Sequence, residues 1–483
     1  MLSNWIAIEK APFFVKLAQT VRGKLFLLSV FTLLILETPV FKDIWLPIVM
    51  TTLTGISFFP RYRYWWIFIG MMTTLWAGAL IKPMSDWTVF RVNYLYLEYL
   101  GYDFWGLSTN TIKFLNVCIL IGLSEAFVAL IKRKPTWLVT QYPITTAYAF
   151  LMLLITGIAM LPLNAIDKAY LWSLVAVMNH YFWFIAYTLQ EARIIKKRNY
   201  LLDFGRYLPV WGFTSLPYGK GSLYLQQVEA QNSEEFAVTQ LKAIKLGCWA
   251  LLLGFVLKGF YWSQTYLEIP QLPQALSDYS LGQHYSVGKA WGCVIARFFQ
   301  MMLELTVTGH IVVATCRMCG FRILRNTYEP LCSKTIAEYW NRYNYYFKEL
   351  LATFFFYPTY FRFFKQYPRV RILFATMSAA TWGNMLFHFI LLTPIIMSYG
   401  LITAFKGFVS YTVYAIILGI SIGFSQLHNL KLGDQPKSKI HRVVSIMCVL
   451  TFFVLLSIFN KPFQSESVLV NIKILCSLFN IQW

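Results

Sequence analysis

Residues 371–397 read RILFATMSAATWGNMLFHFILLTPIIM. Beyond Arg371 the run holds no acidic or basic residue, and His388 stands deep within it. A hydrocarbon core takes roughly 20 predominantly apolar residues to cross, so the run predicts a membrane-spanning helix over 372–398. The rest of the chain has the same character. Of its 483 residues 58% are apolar and only 13% charged, with a mean hydropathy of +0.54; soluble domains are about a quarter charged. A soluble enzyme with a large core is excluded. The aromatic content of 18%, including 17 Trp and 30 Tyr, suits long interfacial belts.

Working outward, the apolar blocks predict eleven spans: 25–41, 44–60, 64–82, 112–131, 137–162, 168–190, 240–262, 287–315, 372–398, 402–427 and 443–460. Residues 466–480 are too short and polar to add another. Lys and Arg outnumber Asp and Glu by 42 to 21, and their placement tests the count, because cytoplasmic loops collect basic residues. Lys10, Lys16, Arg22 and Lys24 put the N-terminus in the cytoplasm. The even loops then carry Arg61 and Arg63; Lys132, Arg133 and Lys134; Arg193, Lys196, Lys197 and Arg198; the basic stretch 317–371; and Lys431, Lys437, Lys439 and Arg442. The odd loops are poor in them, and Ser263 to Gly288 has neither Lys nor Arg. The expected fold is all-α and polytopic, a single integral membrane domain over 1–483, with the basic excess facing lipid headgroups and no nucleic-acid partner. The N-terminal segment shows no cleavage signature and reads as retained, an amphipathic stretch on the membrane.

Two cytoplasmic segments are too long for simple connections. Residues 193–239 hold LLDFGRYLPVWGFTSLPYGKGSLYLQ, where Pro209, Gly212, Pro217, Gly219 and Gly221 break any helix among large apolar residues. This suits a re-entrant or interfacial loop whose backbone groups are satisfied by protein or a water-filled cavity. Residues 317–371 carry ten basic residues against three acidic ones yet are dense in aromatics, as expected of a segment lying against the membrane.

The chemistry-bearing residues lie in the second segment and the span after it. As a helix, 333–362 places Glu338, Asn341, Tyr345 and Lys348 on one polar face, with Asn344 beside them, and Trp340, Tyr343 and Phe347 on a neighbouring aromatic face; Pro358 ends or bends it. An amphipathic helix anchored at the interface gives the same pattern. His388 is costly within a span and so points to function, but His180 and His310 also fall inside predicted spans. Of the cysteines only Cys316 and Cys319 have metal-like or redox-like spacing, and no second pair matches them, so no metal site is expected.

Tyr339-Trp340-Asn341-Arg342-Tyr343-Asn344, with His388 forty-four residues beyond Asn344 in an apolar helix, resembles the paired motif of the membrane-bound O-acyltransferase (MBOAT) family, many of whose members are bacterial. The match covers roughly residues 200–395. Leu386-Phe387-His388-Phe389 stands where many bacterial members have Trp-His-Gly, and Asn341 where a basic residue is common. The resemblance implies acyl transfer, possibly of acetyl groups, from a thioester donor to a hydroxyl. His388 would be the base that takes the proton of a poorly nucleophilic alcohol as it attacks. Asn344 would face the thioester oxygen as charge develops, and Trp340, Asn341, Arg342, Tyr343 and Lys348 would hold the donor.

The cofactor expectation is an acyl-CoA or acyl-carrier thioester from the cytoplasm as co-substrate, with nothing permanently bound. The expected acceptor is a cell-envelope polysaccharide, the location the bacterial inner membrane, and the partners membrane lipids and an envelope-biosynthesis protein. A lipid or protein acceptor, or a polytopic transporter, are the other readings open at this level.

Overall fold

Helices form throughout a computed structural model of the chain, which describes residues 7–36, 45–77, 107, 109–195, 198–207, 209–211, 215–432 and 438–481. Residues 37–41, 44 and 78–82 of the first three predicted spans, together with Lys196, Lys197, Gly212 and Lys437, lie outside the described residues. Among the described residues the one strand-like pairing outside helices is an isolated antiparallel bridge between Glu229 and Phe321.

Each of the eleven predicted segments carries helix. Six helices are both long and apolar enough to cross a membrane: Phe114–Arg133, Pro143–Met160, Ser233–Tyr266, Val287–Met318, Leu401–His428 and Lys439–Phe459. Two broken pairs, Pro12–Gln19 with Val21–Leu36 and Pro368–Ile390 with Thr393–Tyr399, bring the number to eight if each pair is one span. Three of the predicted spans stand outside that number. Trp45–Phe58 and Arg63–Ala77 are short in their described parts. Ala165–Glu191 is long enough, but no 18-residue stretch of it is as apolar as those of the six, and it is buried almost all round between Val175 and Leu189. In the broken span 372–398, Pro394 has no N–H to continue the ladder, and helix restarts at Thr393. At the N-terminus the first pair bends by 97°. There Thr20 accepts at Oγ1 from the Gly23 N–H (3.0 Å) while donating to the Leu17 carbonyl (2.7 Å), so one side chain closes one helix and caps the next. Phe13, Phe14 and Leu17 of the short helix are exposed while Val15 and Ala18 are buried, the two-faced pattern of an interfacial segment.

The chain divides into two units. The first comprises Met1–Leu251, His310–Leu324 and Thr393–Leu401. Its centre is Ala165–Glu191, packed against Thr109–Arg133 and Pro143–Met160; Asn116 donates to Ser173 across one of these contacts at 2.7 Å. Against the core helix the Pro/Gly-bearing loop is pinned by Arg206, which is 2% exposed. Its guanidinium donates to the Phe184 carbonyl (3.0 Å), to Thr188 Oγ1 and to the Lys220 carbonyl (3.3 Å). Glu191 accepts from Ser222 Oγ at 3.0 Å and from the Leu223 N–H. Between them Gly221 runs so close to Glu191 that a Cβ would stand 1.6 Å from its Oε1.

The second unit comprises Leu252–Gly309, Arg325–Leu392 and Ile402–Trp483, and it holds every residue of the predicted site. Two wide helical turns pack on each other here, Ala352–Phe356 and Ser378–Gly383, both π-helical with bonds closing five residues apart. Their approach depends on Gly383, whose absent Cβ would lie 2.6 Å from the Phe355 ring, and Thr359 donates to Ser378 across the same contact at 3.0 Å. Gly383→Val is expected to lower the melting temperature in detergent by an overpacking cost of about 1–3 kcal/mol. Gly254→Ala, where nothing lies within 4 Å of the added methyl, leaves it unchanged or raises it.

Candidate active site

The motif helix Ile336–Tyr343 starts as its sequence dictates. Thr335 Oγ1 accepts from the Glu338 N–H at 3.1 Å, and Glu338 Oε2 reaches back to the Lys334 N–H at 2.7 Å, an arrangement close to a capping box. Trp340 and Tyr339 are buried on its inner side, Tyr339 stacked between Phe453 (3.9 Å between ring centres) and Tyr343 (5.4 Å).

The predicted continuous helix over 333–362 is interrupted at Asn344, which adopts φ −139° and ψ 77°. The cause is Asn326. Its backbone carbonyl takes the Tyr345 N–H at 2.8 Å and its Oδ1 takes the Tyr346 N–H at 3.2 Å, so both groups leave the helical ladder. Of the carbonyls beside the break, that of Arg342, which Tyr346 abandons, takes the Tyr328 N–H (2.8 Å), and that of Tyr343 takes Thr327 Oγ1 (2.8 Å). A second helix, Tyr345–Leu351, then begins with Asn344 as its N-cap residue. The expected polar face of Glu338, Asn341, Tyr345 and Lys348 is therefore divided between two helices. Pro358 does not end the helical run either; it falls in Tyr357–Arg362, which continues directly from the turn Ala352–Phe356.

This break brings the second helix to His388. Phe347, three residues past Asn344, sets its ring 5.7 Å from the imidazole. Phe387 at 5.1 Å and Tyr411 at 4.7 Å complete an aromatic wall around the half-buried histidine. One turn earlier on the same face, fully buried Asn384 accepts from the Tyr411 hydroxyl at 2.9 Å. Asn344 Oδ1 is buried and has no hydrogen-bond partner among the described residues, and a buried amide left uncommitted is expensive unless something else engages it.

The remaining predicted residues divide. Trp340, Asn341 and Lys348 line one cleft of about 200 Å³, with Phe356, Ala379 and Gln426. Arg342 and Tyr343 do not line it: Arg342 pairs with Glu338 at 2.7 Å and Tyr343 lies against Tyr339. Lys348 also has a carboxylate, Glu349 at 2.6 Å, and passes 4.8 Å over the Tyr345 ring. Burial pushes that phenol up to about 12, so the ring under the ammonium stays neutral. Half-exposed ion pairs contribute about 0–1 kcal/mol, and an incoming phosphate displaces such a carboxylate at little cost. His180 belongs to the first unit, edge-on to Tyr181, and His310 is buried in Val287–Met318. Among the described residues no group of three His, Cys, Asp or Glu side chains is placed to hold a metal ion.

Three contributors escaped the sequence reading. Asn384 was findable, since four residues separate it from His388 on one helix face. Tyr411 and Asn326 arrive from distant segments with no local signal.

No family model matches the chain. A stretch of 145 residues is 26% identical to the probable alginate O-acetylase AlgI of Pseudomonas aeruginosa, covering 30% of this chain and 25% of that protein. The chain thus matches about a quarter of that relative's length. The likeness and the apolar helices suggest a membrane acyltransferase.

Asn326→Ala removes the acceptor that draws Tyr346 out of the ladder. A loss of about 1 kcal/mol, typical of a cap, is expected, with faster hydrogen exchange at Tyr346 than in the wild type and unchanged exchange in the helix Val468–Ser477.

Proposed function

We propose that the chain is a bacterial inner-membrane O-acyltransferase of the MBOAT kind, with its N-terminus in the cytoplasm. It moves an acyl group, acetyl in the simplest case, from a cytoplasmic thioester to a hydroxyl of a cell-envelope polysaccharide. The observation that carries the proposal is the meeting of His388 with the helix that Asn344 begins, through Phe347. The likeness to the Pseudomonas aeruginosa O-acetylase supports it independently.

In this reading the neutral imidazole of His388 accepts the acceptor's hydroxyl proton as that oxygen attacks the thioester carbon. A C–O bond forms and the carbonyl electrons move to oxygen, where the Asn344 amide N–H donates to the growing charge. Collapse restores the carbonyl and breaks the C–S bond, and the imidazolium returns its proton to the departing thiolate. Ester and thiol leave, and His388 is neutral again. The Asn384–Tyr411 hydrogen bond and the aromatic wall hold the ring in place, and closely packed rings exclude water that would otherwise hydrolyse the donor. The cleft beside Trp340 and Lys348 suits the donor's carrier portion, with Lys348 toward phosphate. An envelope-biosynthesis protein that delivers the acceptor or receives the product fits the same scheme.

Purified protein in nanodiscs, given acetyl-CoA or an acetylated carrier thioester and alginate oligosaccharides, tests this directly. His388→Ala is expected to lower the transfer rate about 10²–10⁴-fold and Asn344→Ala about 10²–10³-fold. Undiminished transfer by the His388 variant would remove it as the base. Substrate flux into vesicles without any acyl transfer would favour a transporter.

A further inference from the structure

The connection between the helices Ser233–Tyr266 and Val287–Met318 encloses a second, larger cleft of about 670 Å³, in the same unit as the histidine site. It is lined by Thr265, Glu268, Gln271, Gln274, Tyr285 and Lys289. Gln271 and Gln274 are exposed, and neither side-chain amide makes a hydrogen bond within the described chain. Glu268 and Lys289 pair loosely at 3.5 Å, with the carboxylate side chain 84% exposed, so the lining carries both signs and no net charge. Outside the lining, near the end of the helix Ser233–Tyr266 that leads to the cleft, Trp262 and Tyr266 stack with ring centres 5.4 Å apart and planes within 13°, both largely exposed.

The frame beneath is rigid. Buried Gln264 donates to the Pro270 carbonyl at 2.9 Å and accepts from Gln300 at 2.7 Å. Tyr279 of the helix Leu272–Ser280 donates to Ser477 at 2.8 Å, and Trp291 to the Leu478 carbonyl at 2.9 Å. A pre-formed cleft loses little on binding, since the ordering cost is already met.

We propose that this cleft docks a glycan chain, the acceptor of the reaction proposed above, and the inference rests on that reading. Sugar rings present C–H faces that lie on aromatic planes and hydroxyls that bond to amides and carboxylates; Trp262 and Tyr266 supply the first, and Gln271, Gln274 and Glu268 the second. An aromatic pair alone would fit a membrane-interface belt, but free amides and an ion pair beside it have no use for lipid tails. The segment has neither Lys nor Arg between Ser263 and Gly288, which in the proposed topology puts it on the face away from the cytoplasm. Lys289 at the cleft stands nine residues before Phe298, whose ring meets Tyr339 of the motif helix at 6.3 Å. That interval is about 13 Å along the helix axis, longer than a single sugar.

The test uses full-length protein in nanodiscs, with alginate and dextran oligosaccharides of graded length as probes for binding and, where transfer occurs, for KM. Wild type is expected to bind at least one series more tightly with length. Trp262→Ala and Gln274→Ala, both at exposed positions, should each raise Kd and KM at least tenfold, while His388→Ala binds with wild-type Kd but transfers about 10²–10⁴-fold more slowly. No binding of either series by the wild type, or unchanged Kd in both cleft variants, would overturn the cleft as a glycan site whatever the enzyme does. Length-dependent binding that both variants lose, in a protein that transfers no acyl group, would uphold the cleft and overturn the acyltransferase reading.

Discussion

The arrangement depends on one capping interaction. Asn326, wholly buried, takes the two N–H groups that would have carried the motif helix through Asn344. Without that competition Tyr345 and Tyr346 would bond four residues back, Asn344 would sit in the middle of a helix, and its amide would point wherever helical geometry sent it. With it, the chain turns at Asn344 and restarts, and Phe347 comes against His388. Residues 326–328 take the Tyr345 and Tyr346 N–H groups and donate to the Arg342 and Tyr343 carbonyls, which holds the interruption in place. The amide that benefits, that of Asn344, is left with an uncommitted buried oxygen.

The histidine side of the site is shaped by helix irregularity of another kind. The π turn Ser378–Gly383 immediately precedes Asn384–Ile390. A π turn rotates the helix after it relative to a regular α-helical path, and such turns concentrate at functional sites. Here the rotated helix puts Asn384 and His388 on the face that meets Tyr411. The partner π turn, Ala352–Phe356, continues from the Phe347 helix, and Gly383 lets the two pack closely. The two side chains proposed to react therefore stand on elements held by one contact, which suits a reaction in which donor, acceptor and base must be aligned at once.

Hydropathy made the membrane helices legible, because a span needs only length and apolarity. It is blind to burial: Ala165–Glu191 is long enough to span but is enclosed by protein from Val175 to Leu189. The two ends of the candidate site, Asn344 and His388, came from the motif they resemble, beside the amphipathic pattern around Trp340. The break between Tyr343 and Tyr345 was not, since 333–362 is compatible with an unbroken helix by propensity and the residue that breaks it lies eighteen positions before Asn344. Nor could the sequence show that Arg342 and Lys348 already face carboxylates. Glu338 and Glu349 stand at helical and adjacent spacing to them, but so do many charges that never meet. The π turns leave no trace in composition at all.

Central to the proposed mechanism is that Asn344 and His388 face one reacting carbonyl. An experimental structure of the protein with a non-hydrolysable thioether analogue of the acyl donor decides it most directly. The predicted result places the analogue's carbonyl oxygen within hydrogen-bond distance of the Asn344 amide and its carbonyl carbon within reach of an acceptor oxygen held by His388, with the carrier portion passing Trp340 and Lys348. A donor bound with its acyl end away from His388, or with Asn344 and His388 on opposite sides of an unbroken wall of rings, would contradict it.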